Sequence, residues 1–297
     1  MTILELFDQF KTERRYLQNV SPKTLEWYTY SFRAFRADFE GVAIATQSVK
    51  EAVKRGVVNL ASSTLQPSSI NDYVRAMNAF LRWCHAEGHL SELIKLGYLK
   101  EERKVIQTFS PQQIKALLSW KPRTFSDYRL HALVATLLDC GLRIQEALEL
   151  RREQVDLENL LVKVKGKGEK HRIVPISFEL RRVLYRWLGK HKFGLVFPTL
   201  QGREQNQRNM LRDLKDLGRR LSITGVRVSF HTFRHTFAVS YLRAGGNLFY
   251  LSRILGHSSV TTTEKYLQSL GVEDLQAVHD RLSLLNPARV NFVRQRD

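Results

Sequence analysis

The segment His231-Thr232-Phe233-Arg234-His235 is the most informative part of this sequence. Downstream of it come Leu255-Gly256-His257 and then Tyr266. Upstream, Gly141-Leu142-Arg143 and Gly166-Lys167-Gly168 complete an ordered series. Together these segments supply arginines, histidines, a lysine and a tyrosine, which can bind a phosphodiester, move protons around it and attack it covalently. None of these steps requires a metal ion.

Composition predicts a globular protein that binds a polyanion. The chain has 297 residues, enough for two domains, and 43% of them are hydrophobic. Lys and Arg number 47 against 29 Asp and Glu, which gives a formal net charge of +18. Nucleic acid is the usual partner of such a charge, and a membrane surface is the alternative. No segment approaches the roughly 18 consecutive apolar residues that a spanning helix needs.

The charge is uneven along the chain and indicates two domains. Residues 1–103 carry 14 basic and 12 acidic side chains, whereas residues 104–297 carry 33 and 17. A charged run at 100–104 precedes Ser110-Pro111, which is typical of a new helix start. The run alone would fit a solvated helix end equally well. We predict domains at 1–104 and 105–297, with most phosphate-backbone contacts in the second.

Cysteine usage and the N-terminus predict a cytoplasmic protein. Cys84 and Cys140 lie in apolar periodic runs, which is typical of small buried side chains in a reducing compartment. A disulfide or a metal site is not expected for either of them. The first residues also lack the basic-then-apolar pattern of a signal peptide.

Apolar periodicity predicts a mainly α-helical chain with one small β-sheet. In the first domain Ser21-Pro22 is typical of a helix start, and we expect a bundle of four or five short helices. The second domain is expected to be helical through Leu150 and again from Phe178. Between these regions, the β-branched runs 160–164 and 173–176 flank a Gly-containing turn and predict a β-hairpin.

Arg143 and Arg234 are the natural phosphate ligands of the series. A guanidinium donates two parallel hydrogen bonds to non-bridging oxygens, and such fixed donors stabilise charge that develops in a transition state. Arg143 stands among apolar residues and needs an anionic partner, either Glu146 or a bound phosphate. His231 precedes Arg234 by three residues and shares its helix face.

The remaining residues of the series suit proton transfer or covalent attack. His235 points about 100° away from the face of the preceding arginine and is expected to make a structural hydrogen bond. A helix stop positions His257, and a new helix presents Tyr266, a side chain able to act as a nucleophile. Lys167, at the tip of the turn, can reach into a groove and protonate a leaving hydroxyl. The basic residues around it are expected to contact phosphates, and they are Lys163, Lys165, Lys170, His171 and Arg172.

The series resembles the tyrosine recombinases, a family that includes phage integrases and Xer-type chromosome resolution enzymes. The family pattern is a Gly-Leu-Arg turn, a Gly-Lys-Gly hairpin, a His-x-x-Arg pair, a Leu-Gly-His and a terminal tyrosine. The matching positions here are Arg143, Lys167, His231, Arg234, His257 and Tyr266. Any one motif is weak, but six in order are specific. The first domain resembles, more loosely, the family's core-binding domain.

This resemblance implies a two-domain, C-shaped clamp on double-stranded DNA and a site-specific strand exchange that uses no ATP, metal or other cofactor. Tyr266 would attack the scissile phosphate, form a 3′-phosphotyrosyl link and release a 5′-hydroxyl. Lys167 would be the general acid, and His231 would take the tyrosine proton. The side chains that would bind the phosphate are Arg143, Arg234 and His257.

The resemblance also implies a tetramer on two duplexes, typically formed by docking a C-terminal segment into a neighbouring copy. A helical apolar stripe beyond Tyr266 fits such a segment, and it consists of Leu275, Val278, Leu282 and Leu285. The alternative is that this helix packs on its own domain. The chain begins directly in the core-binding region, which favours a simple Xer-like or transposon-type recombinase that acts at short inverted half-sites.

Two other functions use parts of the same pattern. A DNA-binding regulator could keep the fold without the chemistry, but it would not need Tyr266. A topoisomerase that nicks and reseals one strand needs the same residues, but it does not need an oligomerising tail. A metal-dependent nuclease is not expected, because no acidic cluster or His/Cys ligand spacing accompanies the basic residues.

Overall fold

The computed structural model describes residues 2–102, 106–166, 171–283 and 285. The chain divides into two units, Met1–Arg103 and Lys104–Asp297. This division lies one residue before the predicted end of the first domain. Among the described residues, no helix combines the length and apolar character needed to cross a membrane.

The first unit is helical, as predicted. Its helices in the described part of the chain are α1 (Ile3–Tyr16), α2 (Pro22–Arg33), α3 (Thr46–Ala61), α4 (Pro67–Ala86) and a 3-10 helix (Arg36–Phe39). Ser21 caps α2 by accepting a hydrogen bond from the Thr24 amide, and a proline takes the first helical position. The core is aromatic: the rings of Phe7 and Phe32 stack with centroids 3.8 Å apart, and Phe80 meets Phe7 edge-on.

The second unit places most of its helices around α6. Its α-helices are α5 (Pro111–Ser119), α6 (Phe125–Cys140), α7 (Ile144–Leu148), α8 (Phe178–Leu188), α9 (Gln207–Arg220), α10 (Phe230–Arg243), α11 (Leu248–Leu255), α12 (Thr261–Glu264) and α13 (Val272–Leu282). In the described part of this unit, two 3-10 helices accompany them, Arg152–Gln154 and Leu267–Ser269. The predicted helix start at Ser110 is confirmed, since Ser110 and Gln113 form a reciprocal capping box.

A three-stranded antiparallel sheet lies between α7 and α8 in the chain. Its strands are β1 (Val155–Asp156), β2 (Leu161–Lys165) and β3 (His171–Pro175), in the order β1-β2-β3. Strands β2 and β3 pair with Lys165 opposite His171, so the predicted hairpin is confirmed. The tip of its turn, including Lys167 and Lys170, lies outside the described residues. Strand β1 was not predicted, because two residues are too few to show a period.

Helix α10 lies between two apolar clusters, and this position determines where its polar residues can go. Phe230 and Phe233 belong to the main core, which α6, α8 and the sheet also build. One turn later, Ala238 and Val239 belong to a smaller cluster that includes Tyr266. Polar side chains between these two sets are consequently buried at their junction. The overall result is the predicted class, mainly α with a small β-sheet.

Candidate active site

Arg234 is a buried cation at the start of α10. Only 5% of the residue is exposed. Its Nη1 donates to the carbonyl of Gly141 at 2.7 Å, and its Nη2 donates to the carbonyl of Leu255 at 2.7 Å. Burial, followed by the like charge of Arg143, lowers the pKa of Arg234 to about 10. The side chain thus stays charged at neutral pH but is held rigidly by two backbone carbonyls.

Two helix stops supply these carbonyls. Helix α6 ends at Gly141 with φ of 59°, and α11 ends at Gly256 with φ of 65°. Both values lie in the left-handed region, where a side chain is disfavoured. At Gly141 space also requires glycine, since an added Cβ would lie 2.2 Å from the ring of Phe237. The Gly-Leu-Arg and Leu-Gly-His motifs are therefore helix ends that aim carbonyls at one point.

Arg143 lies at the exposed side of the same point. Its Nη1 donates to the Leu255 carbonyl at 3.3 Å, so the two arginines share one acceptor. Nη1 also bonds Glu146 Oε1 at 2.9 Å, and the Arg143 amide donates to Glu146 Oε2 at 2.8 Å. Of the two partners expected from the sequence, Glu146 is the one observed. With 45% of its side chain exposed, Arg143 can still meet an anion from solvent.

Glu146 is the buried carboxylate that joins three segments of the site. Arg172 on β3 pairs with it through two hydrogen bonds of 2.8 and 2.7 Å and also donates from Nε to the Ile254 carbonyl at 2.7 Å. Burial raises the pKa of Glu146, but the hydrogen bonds and charge of Arg172 and the hydrogen bonds of Arg143 outweigh this effect. The pKa of Glu146 is therefore below its usual value. Arg172 was expected to contact phosphate. In the structure it is a positioning residue with only 13% of its side chain exposed.

His257 connects the arginines to the segment that carries Tyr266. Its Nε2 lies 3.0 Å from Arg234 Nη2, and its Nδ1 lies 2.8 Å from Thr263 Oγ1. Because a guanidinium only donates, we assign Nε2 as the acceptor and place the proton on Nδ1. Burial, then the charge of Arg234, lowers the pKa of His257 to about 4, so the ring is neutral at pH 7.

Tyr266 is buried beside this cluster, with 1% of the residue exposed. The sequence predicted that a helix carries Tyr266. In the structure it lies instead between α12 and the following 3-10 helix. Its hydroxyl lies 3.2 Å from Nδ1 of His235, and Lys265 Nζ stands 5.1 Å from its ring centroid. Burial raises the pKa of Tyr266, while the charge and the hydrogen bond of Arg234 and the charge of Arg143 act in the opposite direction.

The structure brings together four of the six predicted site residues, which are Arg143, Arg234, His257 and Tyr266. His231 is exposed on the first turn of α10, and its ring lies 6.3 Å from that of His235. The sixth residue, Lys167, lies outside the described residues.

Two residues of this cluster were not predicted as site residues. His235 was assigned a structural hydrogen bond, but its partner is the hydroxyl of Tyr266. Its i,i+4 relation to His231 was the available signal, because it places both imidazoles on one strip of the helix. Lys265 was not considered, although it directly precedes Tyr266. Burial, then Arg234 and Arg143, lowers the pKa of Lys265, so this ammonium belongs to the same charged cluster.

Comparison with known proteins gives consistent relatives. Residues 107–271 match the phage integrase family. Tyrosine recombinase XerA of Thermococcus kodakarensis is 30% identical over 287 residues, which cover 95% of this chain and 96% of that protein. Tyrosine recombinase XerD of Pseudomonas aeruginosa is 27% identical over 296 residues, which cover 94% of this chain and 99% of that one.

Solved structures with the same fold include complexes with DNA. The Tn1549 transposon integrase, in complex with a circular intermediate DNA, matches this chain with a TM-score of 0.74 at 19% identity. The matched region covers 95% of this chain and 100% of the integrase chain in that structure. The XerH site-specific recombinase, bound to a palindromic difH substrate, has a TM-score of 0.69 at 18% identity, with coverages of 94% and 83%. At these identities the likeness is one of fold.

Proposed function

The chain belongs to the phage integrase family of tyrosine recombinases, and from this premise we propose that it is a site-specific recombinase that cleaves and rejoins DNA through a 3′-phosphotyrosyl intermediate. One observation carries the proposal. The guanidinium groups of Arg143 and Arg234 converge on the Leu255 carbonyl, next to the hydroxyl-bearing side chain of Tyr266. A phosphodiester there would meet two cations and a nucleophile together.

In the proposed reaction, Tyr266 Oη attacks phosphorus and the 5′ oxygen leaves. Arg234 enters the reaction already fixed by its two carbonyl bonds, so it needs little reorganisation to stabilise the added negative charge. Lys167 is proposed as the general acid for the leaving oxygen, on the family resemblance alone. The remaining proposed phosphate contact is Arg143. The family resemblance assigns the tyrosine proton to His231 and a further hydrogen bond to His257, and both roles stay predictions. The energy of the broken bond is kept in the phosphotyrosyl link, so no ATP or metal is needed.

We propose α9 as a DNA-binding element of the catalytic unit. Its apolar side is buried on the core through Met210, Leu214 and Leu217. On the other side, together with the segment before α10, it borders a groove of about 550 Å³. The basic residues that line this groove are Arg208, Arg212, Lys215, Arg219 and Arg227. The first four are three or four residues apart along α9, and Arg227 lies in the segment before α10, so together they suit contact with a phosphate backbone.

The helical unit 1–104 is proposed as the core-binding domain and the unit 105–297 as the catalytic domain. In support of these assignments, the similarity to XerA covers 95% of this chain and therefore includes both units. We further propose a cytoplasmic location, which agrees with two buried cysteines that form no disulfide, Cys84 and Cys140.

We propose that the recombinase assembles as a tetramer on two duplexes through α13. One side of this helix packs on α10, where Arg243 bonds Asp274 at 3.2 Å and Arg281 donates to the Arg243 carbonyl at 2.9 Å. Both sequence alternatives therefore have a basis, since the apolar side of the helix is exposed. Its exposed members are Val272, Leu275, Leu282 and Leu285, with exposures of 78, 58, 53 and 89%. This stripe suits insertion into a neighbouring copy.

The proposed function is tested with a plasmid that carries two direct copies of the DNA flanking the gene. Purified protein is added in EDTA, and products are separated after protease digestion. The expected result is a pair of smaller circles that Tyr266→Phe does not produce. Relaxation of supercoils without smaller circles would instead identify a topoisomerase, and tight binding without cleavage would identify a regulator.

A further inference from the structure

Two side chains meet the Tyr266 hydroxyl: Arg234, which hydrogen-bonds to it, and the imidazole of His235. Nδ1 of His235 lies 3.2 Å from Oη, and the two ring centroids are 5.5 Å apart. His231 is exposed, and its ring is one helical turn away from this contact. The imidazole that touches the reacting oxygen is thus not the one in the His-x-x-Arg pair.

The charges around the hydroxyl indicate the direction of this hydrogen bond. Arg234, Arg143 and Lys265 surround the phenol and its partner, and their side chains can only donate. The proton of the phenol needs an acceptor, and an unprotonated imidazole nitrogen provides one. We therefore assign the ring proton of His235 to Nε2, so that Tyr266 donates to Nδ1.

On the premise that Tyr266 is the nucleophile of the proposed recombinase, we propose that His235 is a catalytic residue that accepts the Tyr266 proton during strand cleavage. As the Oη–P bond forms and the P–O5′ bond breaks, this proton moves from Oη to Nδ1. The leaving 5′ oxygen takes its proton from the separate general acid. In rejoining, the imidazolium returns its proton to the departing Oη while the attacking 5′-hydroxyl gives up its own.

The surroundings of His235 keep it neutral before DNA binds. Burial, followed by the charges of Lys265, His231 and Arg234, lowers the pKa of His235 to about 4. These groups face the ring from α10 and from the segment after α12. A phosphodiester bound at Arg234 introduces a negative charge that counteracts these cations, so the imidazolium formed during cleavage is stabilised when it is needed.

The first test uses ¹⁵N NMR of the histidine side chains in the intact protein without DNA. The expected result is a neutral His235 ring that carries its proton on Nε2, with an Nδ1 resonance that shifts in the Tyr266→Phe variant. A His235 protonated on Nδ1, or an Nδ1 resonance unchanged by Tyr266→Phe, would overturn the inference.

The second test measures the rate of covalent adduct formation on a supercoiled plasmid that carries the DNA flanking the gene. His235→Asn keeps a hydrogen-bonding group near the position of Nδ1 but cannot accept a proton. At pH 7 we expect it to cleave about 100-fold more slowly than wild type, with a deficit that shrinks toward pH 9.5 as hydroxide replaces the base. Glu153→Gln, an exposed change away from the catalytic cluster and from α13, should cleave at the wild-type rate.

The outcomes separate the inference from the function on which it rests. If wild type forms the adduct and His235→Asn matches its rate across the pH range, His235 is not the proton acceptor but the recombinase proposal stands. If His231→Asn alone shows a deficit that high pH repairs, the proton goes to His231 and the inference is wrong. If wild type forms no adduct, both proposals fail together.

Discussion

At the scale of single residues, the carboxylate of Glu146 organises the site. It accepts hydrogen bonds from Arg172 on β3 and from Arg143 before α7, and Arg172 in turn holds the Ile254 carbonyl of α11. Three segments far apart in sequence are thus fixed by one buried anion. An ion pair of this kind contributes little on formation, but its removal leaves an unpaired buried cation.

Replacing Glu146 by alanine should therefore destabilise the catalytic unit strongly. We expect the free energy of unfolding to fall by about 3 kcal/mol, because Arg172 would stay buried without its partner. Urea unfolding followed by circular dichroism measures this change. Glu153→Ala, an exposed carboxylate of the same unit, is the matched control and should change stability by less than about 0.5 kcal/mol. Equal effects of the two substitutions would contradict the role of Glu146 as the buried partner of Arg172.

The low pKa values of His235 and His257 predict that stability declines in mild acid. Each is lowered to about 4, chiefly by burial. The unfolded chain takes up these protons below about pH 6.5, whereas the folded chain resists them until about pH 4. Stability from these groups is therefore complete above that range and is lost as the pH falls through it.

Urea unfolding at pH 7.5 and 5.0 tests this dependence. A variant with both His235→Asn and His257→Asn should lose less stability between the two pH values than wild type does. His279→Asn, on an exposed part of α13, should keep the wild-type difference. A double variant with the full wild-type difference would show that other groups cause the acid sensitivity.

At the residue scale, the sequence predicted four of the residues that meet but not how they pair. The order of the motifs was sufficient to predict that Arg143, Arg234, His257 and Tyr266 lie in one cluster. The partner of the Tyr266 hydroxyl depends on the path of the chain after α12, which is set by packing of the small apolar cluster rather than by local pattern. For this reason His235 could not be assigned from its helix position alone.

At the scale of elements, the left-handed end of α6 is the feature that aims the Gly141 carbonyl at Arg234. Gly141→Ala should combine a backbone cost of about 1 kcal/mol with overpacking against Phe237 of about 1–3 kcal/mol. Cleavage should fall as well, since the carbonyl would shift. Unfolding and cleavage rates are measured in parallel with Gly225→Ala.

Gly225 is a matched control because its φ is also positive, at 74°, but an added Cβ would meet nothing within 4 Å. The Gly225→Ala variant should therefore lose only the backbone part of the free energy of unfolding and should cleave at the wild-type rate. If both variants lost equal stability and activity, the contact with Phe237 would have no special role.

Element prediction succeeded where the local signal was strong. Ser21 and Ser110 start helices as expected, and β2 and β3 pair as a hairpin. The prediction that a helix carries Tyr266 was only partly right, because α12 has four residues and ends before it. The serine and threonine residues there signal a helix start, but nothing local signals how soon the helix stops.

At the scale of the whole molecule, the uncovered stripe of α13 predicts an assembly defect without a cleavage defect. Leu275→Asp with Leu282→Asp should leave DNA binding and adduct formation within about threefold of wild type, because neither side chain touches the catalytic cluster. Tetramers on DNA and recombinant products should be lost. Analytical ultracentrifugation with labelled DNA measures the assembly, and Gln276→Asp on the same helix is the control. Tetramers formed by the double variant would assign assembly to another surface.

Tyr266 is expected to become covalently attached to DNA, and mass spectrometry can identify the attached residue. Protein and plasmid are quenched in detergent, digested with protease and nuclease, and analysed by mass spectrometry. We predict a single modified peptide with a nucleotide joined through its 3′ phosphate to Tyr266. A nucleotide on an exposed tyrosine such as Tyr250, or an adduct that persists in Tyr266→Phe, would contradict the account.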